Sequence, residues 1–324
     1  REENKALNDL TLPTSRPRTV LVQGRQATGS EVCVKQQNRI MAETACGIAK
    51  KTRAQGVLLF ADTFDDYDAL AKIGQEKQVD LILAIQDDTA FREATSVFKK
   101  VLRIPNVPLG RINQIKMAVI QALSKGLVKK GDKWVCLSGI HQSKALDNLL
   151  ILEFGREFEI ISSSDLPVLS EIVMPEVFET VLNLALELST DGKEGRKPVG
   201  TIFVLGKHEV VLKFSHPMVI NPFQGYPEEE RNILDPRLKE TVKEFSSIDG
   251  AFIFREDGVI LAAGRHLDAS GENIEIPLGL GSRHRAAAGI TSLTDALAIV
   301  ISEETGEVRI FHHGKIFMGI EKGE

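Results

Sequence analysis

The sequence predicts a two-domain α/β protein, in which short apolar strands alternate with amphipathic helices. The chain has 324 residues, of which 43% are hydrophobic, and a chain of this size and composition can bury two cores. In its first half, apolar runs such as GVLLFA (56–61) and DLILAI (80–85) are separated by helical patterns. Strands that are joined through helices pair in parallel, so we expect a mostly parallel sheet with helices on both faces.

The N-terminal domain is predicted at residues 18–165, after a polar, flexible arm at residues 1–17. Its predicted strands are TVLVQG (19–24), GVLLFA (56–61), DLILAI (80–85), KWVCLSG (133–139) and EFEIISSS (157–164). Its predicted helices are QQNRIMAETACGIAKK (36–51), DALAKIGQEKQ (68–78), FREATSVFKKVL (91–102) and NQIKMAVIQALSKGL (113–127). The first helix is predicted to bury the stripe formed by Ile40, Met41, Ala45 and Ile48.

The C-terminal domain is predicted at residues 166–324, after a break in the pattern at SSSDLPVLS (162–170). A helix is expected to begin at Pro175, and a second helix to begin beside Asp235, which stands where an N-cap belongs. Asp257-Gly258 between two apolar runs predicts a tight hairpin turn. The predicted segments are helix 175–189, strand 199–206, apolar stretch 209–214, helix 236–248, hairpin 251–264, and strands 296–302 and 307–314.

Composition excludes several classes of function. The formal net charge is −5, whereas binding to nucleic-acid backbones requires a basic face, so we expect no nucleic-acid partner. The three cysteines, Cys33, Cys46 and Cys136, form no CxxC pair and suit a reducing compartment. No apolar run approaches the length of about 20 residues that a membrane span needs. These observations predict a cytoplasmic protein with no membrane contact.

A Gly-rich, cationic segment, LGLGSRHRAAAGIT (278–291), predicts an anion site. Gly279 and Gly281 allow close backbone approach, and Ser282 can cap the helix that AAAGI predicts. A helix N-terminus with Arg283 and Arg285 suits phosphate. The alternative is a capped surface helix with two solvated arginines.

Two acidic positions accompany this segment. Asp249, at the junction between a helix and a central hairpin, can hold a divalent cation or orient a hydroxyl group, although an ordinary helix cap would look the same. The run ISEETG (301–306) is either a turn between two strands or a source of carboxylates for the same pocket.

The motifs DGA (249–251) and GSRHRAA (281–287), followed by SEETG (302–306), closely resemble the diadenylate cyclases, which make cyclic di-AMP and carry DGA and RHR signatures. The resemblance covers residues 170–324. It implies a mixed sheet flanked by helices, one ATP per domain, Mg²⁺ or Mn²⁺, and a homo-oligomer in which two cyclase domains meet face to face.

The resemblance also implies roles for individual residues. Asp249 would bind the metal and orient the attacking hydroxyl, while Arg283 and Arg285 hold phosphates and His284 steadies the motif or adds a donor. Either Glu303 or Glu304 would face the pocket. The implied catalytic residues are Asp249, Arg283, His284 and Arg285, and the implied ATP-binding residues are Gly250, Ala251, Gly264, Leu267, Gly281, Ser282, Arg283, Arg285, Ser302 and Glu304.

Two positions depart from the pattern of that family. Ser282 replaces the usual threonine and keeps its hydroxyl group. Ile248 stands where many bacterial members have a histidine before DGA, which puts a histidine metal ligand in doubt but leaves the carboxylate ligand.

The first domain resembles the C-terminal domain of pyruvate kinase over residues 18–162, through GIAKKTRAQGVLLFA (47–61) and GLVKKGDKWVCLSG (126–139). In that family the loop after the matching strand can bind a phosphorylated effector. The loop here, SGIHQSKALDN (138–148), offers Lys144 as its cation. A regulatory ligand and a purely structural or dimerising role both remain open.

Two further functions compete with synthesis. A non-catalytic sensor could bind ATP or cyclic di-AMP and signal through the first domain, but the presence of Asp249 with both arginines favours an enzyme. A DNA-scanning cyclase is disfavoured, because the chain has no basic helical segment for DNA.

Overall fold

A computed structural model describes residues 29–140, 144–154, 169–190, 199–269 and 279–321. The predicted arm at 1–17, the predicted strands at 19–24 and 157–164, and the predicted boundary at residue 165 lie outside the described residues. None of the helices in the described part is both long and apolar enough to cross a membrane.

The first sheet has five strands in the order β3-β2-β1-β4-β5. Strands β1 to β4 are parallel to one another, and β5 is antiparallel to β4, which confirms the predicted mostly parallel α/β arrangement. The strands are β1 (Gly56–Phe60), β2 (Asp80–Ile85), β3 (Val101–Arg103), β4 (Lys133–Ile140) and β5 (Ala145–Glu153). The helices are α1 (Gly29–Thr52), α2 (Tyr67–Lys77), α3 (Asp88–Val97) and α4 (Arg111–Ser124).

Three predictions for this half were wrong in detail. Helix α3 ends at Val97, not at Leu102, because Phe98 turns extended and the next residues pair with β2 as strand β3. Strand β5 was predicted as part of a loop. Helix α1 buries a stripe of small side chains that is rotated from the predicted one, and Ile40 is 54% exposed. The stripe consists of Ala42, Ala45, Cys46 and Ala49.

The second sheet has seven strands in the order β12-β11-β10-β6-β8-β9-β7. Only β6 and β8 pair in parallel within this sheet, so it is mixed, as the resemblance implied. The strands are β6 (Ile202–Leu205), β7 (Ser215–Pro217), β8 (Ala251–Phe254), β9 (Ile260–Leu267), β10 (Leu297–Ile301), β11 (Val308–His312) and β12 (Lys315–Ile320). The helices are α5 (Pro175–Thr190), α6 (His208–Lys213), α7 (Leu238–Phe245) and α8 (Ser282–Leu293).

Alternation along the strands buries both faces of this sheet. Phe203 and Leu205 join a core with α5, whereas Ile202 and Val204 join a second core with α8. Asp235 does not cap α7, contrary to the prediction. The helix begins at Leu238, and the Asp235 carboxylate instead accepts a hydrogen bond from the backbone N–H of Arg237 at 2.9 Å.

Helix α4 lies between the two sheets. It packs against β3 and β4 on one side and against α5 and β12 on the other. Asn113 Nδ2 donates to the carbonyl oxygen of Glu321 at 2.9 Å, and Lys116 Nζ donates to that of Gly319 at 2.8 Å. The first half of the chain therefore makes polar contacts with the last strand of the second sheet.

Candidate active site

The DGA motif follows α7 and ends in the first residue of β8, where the backbones of β8 and β9 approach closely. Gly250 has a φ of 108°, and a Cβ atom on it would lie 2.7 Å from the carbonyl carbon of Gly264. Only glycine combines this conformation with this contact. Asp249 is thereby placed at the mouth of the hairpin, where its side chain is 72% exposed.

The RHR motif begins helix α8, as predicted, but Ser282 is not its cap. Gly281 occupies the N-cap position without a side-chain hydrogen bond, and Ser282 is the first helical residue. The first backbone N–H groups of the helix and the Ser282 hydroxyl group therefore lie beside the Arg283 side chain, an arrangement that attracts anions.

Arg283 links the two motifs. Its Nη2 lies 3.5 Å from Oδ1 of Asp249, and its Nη1 donates to Oε2 of Glu303 at 3.0 Å. The guanidinium group passes over Gly200, where a Cβ atom would lie 2.7 Å from Nη1. Of the two glutamates left open by the sequence, Glu303 is thus the one that reaches Arg283.

Arg283 and Glu303 border an open cavity of about 380 Å³ at the start of α8, whereas Asp249 is not among its lining residues. Ser302 lies in its wall and receives a hydrogen bond on Oγ from the backbone N–H of Thr305 at 3.3 Å. Glu304 also lines the cavity, so both glutamates border it. Its lining residues are Gly279, Leu280, Gly281, Ser282, Arg283, His284, Ile301, Ser302, Glu303, Glu304, Thr305 and Arg309.

His284 points away from solvent, although it stands between two arginines in the sequence. It is 5% exposed, and its Nε2 lies 3.0 Å from Nη1 of Arg309. Burial, with the positive charges of Arg309 and Arg283, lowers the pKa of His284 from 6.5 to about 4. A neutral ring must accept the Arg309 hydrogen bond at Nε2, so His284 carries its proton on Nδ1 near neutral pH.

The buried neutral ring predicts a pH dependence of stability. The folded-state pKa of His284 is below its ordinary value of 6.5, so the unfolded chain binds a proton that the folded protein lacks. The free energy of unfolding should fall by about 3 kcal/mol as pH drops through this window. Denaturant unfolding between about pH 4 and 7 should show a shallower decline for His284→Gln. An unchanged slope, equal to that of a His266→Gln control, would contradict a buried neutral ring.

The remaining sequence-predicted residues are not all brought together. Arg285 is exposed, does not line the cavity, and its side chain has no partner among the described residues. Ala251 and Leu267 are buried in the core beneath α8. Gly264 lies behind Gly250 in strand β9. The sequence reasoning missed Arg309, whose position inside an apolar strand gave no signal for a site.

Carboxylate oxygens supply the possible metal ligands. Asp249 and Glu303 both approach Arg283, and oxygen ligands suit hard divalent cations. In the part of the chain that the structure describes, no group of three or more His, Cys, Asp and Glu side chains is arranged to hold a metal ion. A cation here would need further oxygen ligands from a bound molecule.

Comparison with known proteins agrees with these motifs. Residues 192–316 match the family described as DisA bacterial checkpoint controller nucleotide-binding, and residues 37–159 match one described as a probable sensor domain, DacZ_P.

Solved structures show weak similarity. DacA from Staphylococcus aureus aligns with 45% of this chain and 88% of its own, at 24% identity and a TM-score of 0.31. A pyruvate kinase from Cryptosporidium parvum aligns with 40% of this chain and 23% of its own, at 14% identity and a TM-score of 0.27. At these TM-scores the alignments decide nothing, and the resemblance of the first domain to pyruvate kinase stays a prediction.

Two curated relatives extend over most of the chain. A diadenylate cyclase from Methanocaldococcus jannaschii is 32% identical over 259 residues, which cover 78% of this chain and 82% of the relative. A diadenylate cyclase from Haloferax volcanii is 32% identical over 270 residues, which cover 82% of this chain and 93% of the relative. Identity at this level, over both halves and with both motifs in place, means that the chain belongs to the diadenylate cyclase family.

Proposed function

We propose that this protein condenses two molecules of ATP into cyclic di-AMP and releases two molecules of pyrophosphate. The observation that carries the proposal is the approach of Asp249 to Arg283, with 3.5 Å between Oδ1 and Nη2. A carboxylate that can orient a hydroxyl group thus stands beside a guanidinium group that can hold phosphate. Nucleotidyl transfer needs both groups at one place.

The cavity at the start of α8 is the proposed phosphate site. The first N–H groups of α8, the Ser282 hydroxyl group and the Arg283 guanidinium group offer several donors to one triphosphate. Arg285 is directed elsewhere, so we assign the direct phosphate contact to Arg283. Arg285 then acts on a different part of the bound nucleotide or on the facing domain.

Arg283 must exchange partners when phosphate binds. Its Nη groups are shared between Asp249 and Glu303, and phosphate oxygens compete for the same donors. Release of Asp249 from Arg283 frees its carboxylate to accept a hydrogen bond from the attacking 3′-hydroxyl group. Binding of the triphosphate would in this way prepare the group that acts on the hydroxyl.

A divalent cation fits the donor set. Cations such as Mg²⁺ are commonly held by one or two carboxylates together with substrate phosphates, and Asp249 offers such an exposed carboxylate. Mg²⁺ or Mn²⁺ bound there would supply positive charge that stabilises the charge developing on the phosphoryl oxygens. Glu303 is the candidate for a second carboxylate once Arg283 has turned to phosphate.

Ring closure requires two domains. In each half-reaction a 3′-oxygen bonds to the α-phosphorus of the other ATP, while the bond from that phosphorus to the pyrophosphate breaks. One cavity holds one nucleotide, so two cyclase domains must face each other through a two-fold contact. We place the boundary between the cyclase domain and the N-terminal domain near residue 165, and we assign the N-terminal domain a sensing role, in keeping with the family matched at residues 37–159.

Incubation of purified protein with ATP and either Mg²⁺ or Mn²⁺ should yield cyclic di-AMP, resolved from linear intermediates by chromatography. ATP binding is measured on the same preparation. Binding without any product under either metal would overturn synthesis and favour a nucleotide sensor.

A further inference from the structure

A row of polar side chains connects α4 to the RHR motif. It begins at Lys116, which is half-buried and donates to the carbonyl oxygen of Gly319 in β12. Burial lowers the pKa of Lys116, while the nearby carboxylates of Glu321 and Glu307 oppose that shift. The next member of the row, Glu307, packs against the same residue of β12, Gly319.

Glu307 is held against the same strand. A Cβ atom on Gly319 would lie 2.8 Å from Oε1 of Glu307, so the carboxylate packs on the glycine whose carbonyl oxygen binds Lys116. Its side chain is 16% exposed, and its other oxygen pairs with Nη2 of Arg309. Burial raises the pKa of the Glu307 carboxyl group, and the positive charges of Arg309 and Lys116 oppose that shift.

Arg309 is the last member of the row and contacts helix α8. One of its Nη groups pairs with Glu307 and the other contacts His284 Nε2 at 3.0 Å. The Arg309 side chain is 19% exposed, so few other orientations are open to it. Because His284 directly follows Arg283 in the first turn of α8, the orientation of the His284 ring fixes the turn from which Arg283 extends.

We propose that Arg309 is a positioning residue for the start of α8, and that Glu307 and Lys116 tie it to α4, so that the N-terminal domain sets the geometry of Arg283. The inference rests on the proposed function for its catalytic consequence. Arg309 does not react; it acts through His284. A change in the packing of α4 against β12 would move Lys116, and through Glu307, Arg309 and His284 it would change the position of Arg283 at the phosphate site.

Kinetics of four variants test the row. Arg309→Met should lower kcat by about tenfold or more, because small displacements of aligning groups have large effects on rate. Arg309→Lys keeps the charge beside Glu307 and should recover part of the rate. Lys116→Met should lower kcat by about threefold. Lys125→Met is the matched control, because Lys125, at the C-cap of α4, contacts Glu179 of α5 at 3.0 Å but lies off the row. It should leave kcat unchanged.

The double variant decides whether the residues act together. If they do, Lys116→Met combined with Arg309→Met loses no more activity than Arg309→Met alone. Losses that multiply, or a Lys125→Met loss equal to that of Lys116→Met, would overturn the proposal.

A second readout does not depend on activity. The imidazole nitrogen signals of His284 in NMR spectra should shift in Lys116→Met and stay in place in Lys125→Met. An inactive wild-type protein would refute the proposed function, yet this measurement would still test whether Lys116 affects the His284 ring. His284 signals that are the same in Lys116→Met and in the wild type would contradict the proposal.

Discussion

Replacement of Asp249 by asparagine is expected to abolish synthesis while most of the ATP binding remains. Asparagine keeps the shape of the side chain but loses the charge that orients the hydroxyl group and attracts a divalent cation. Loss of such a group typically costs a factor of about 100 to 1,000 in rate. Because Asp249 also lies 3.5 Å from Arg283, its loss frees one guanidinium face, so affinity for the triphosphate should stay level or rise.

Asp295 provides the matched control for this experiment. Its side chain is 72% exposed, as is that of Asp249, and it pairs with His313 beyond the far end of α8. Asp295→Asn should leave turnover unchanged. Turnover and ATP affinity are measured for both variants by product chromatography and calorimetric titration. Near-normal synthesis by Asp249→Asn would remove this carboxylate from the mechanism.

The sequence predicted those residues of the site that belong to the DGA, RHR and SEETG motifs. Asp249 and Arg283, more than thirty residues apart, were predicted to belong to one site through the resemblance and the chemistry of the residue types, and in the structure they lie 3.5 Å apart. The choice between Glu303 and Glu304 required the conformation of a turn, which local sequence does not determine. Arg285 was grouped with Arg283, although two positions along a helix place side chains on different faces.

His284 shows a second limit of the sequence. A histidine between two arginines suggests a charged, exposed cluster, whereas this ring is buried and neutral against Arg309. That environment is formed by strand β11, whose arginine lies among apolar residues and looks like a simple exposed strand position. A contact between side chains on two distant elements leaves no periodic pattern in the sequence, so a single sequence does not predict it.

The fold was predictable where periodicity and burial agree. Strand β1 and the part of β2 that follows Asp80 are apolar and buried, and both strands were placed within one residue of their ends. Strands β5, β7 and β12 were missed, because each is short of a periodic signal of its own and forms by pairing with β4, β9 and β11, respectively. Helix α3 was extended too far for the same reason, since its last predicted residues pair with β2 instead.

When Asp249→Asn chains are mixed with wild-type chains, the yield of cyclic product per wild-type chain should fall as the fraction of the variant rises. Each ring needs two bonds, and each bond depends on an intact Asp249, so a mixed pair makes at most one bond and stops at a linear dinucleotide. With about ninefold excess of the variant and free exchange of subunits, cyclic product per wild-type chain should fall by about tenfold, since nearly every wild-type chain has an inactive partner.

Excess Asp295→Asn protein is the control for this mixture, because its DGA and RHR motifs are intact and its pairs should stay active. Chromatography separates the cyclic product from the linear dinucleotide, which should accumulate only with the Asp249→Asn partner. Exchange is verified by mixing chains that carry different affinity tags. If exchange is complete and cyclic product per wild-type chain is unchanged, each chain closes the ring alone, and the face-to-face mechanism is wrong for this protein.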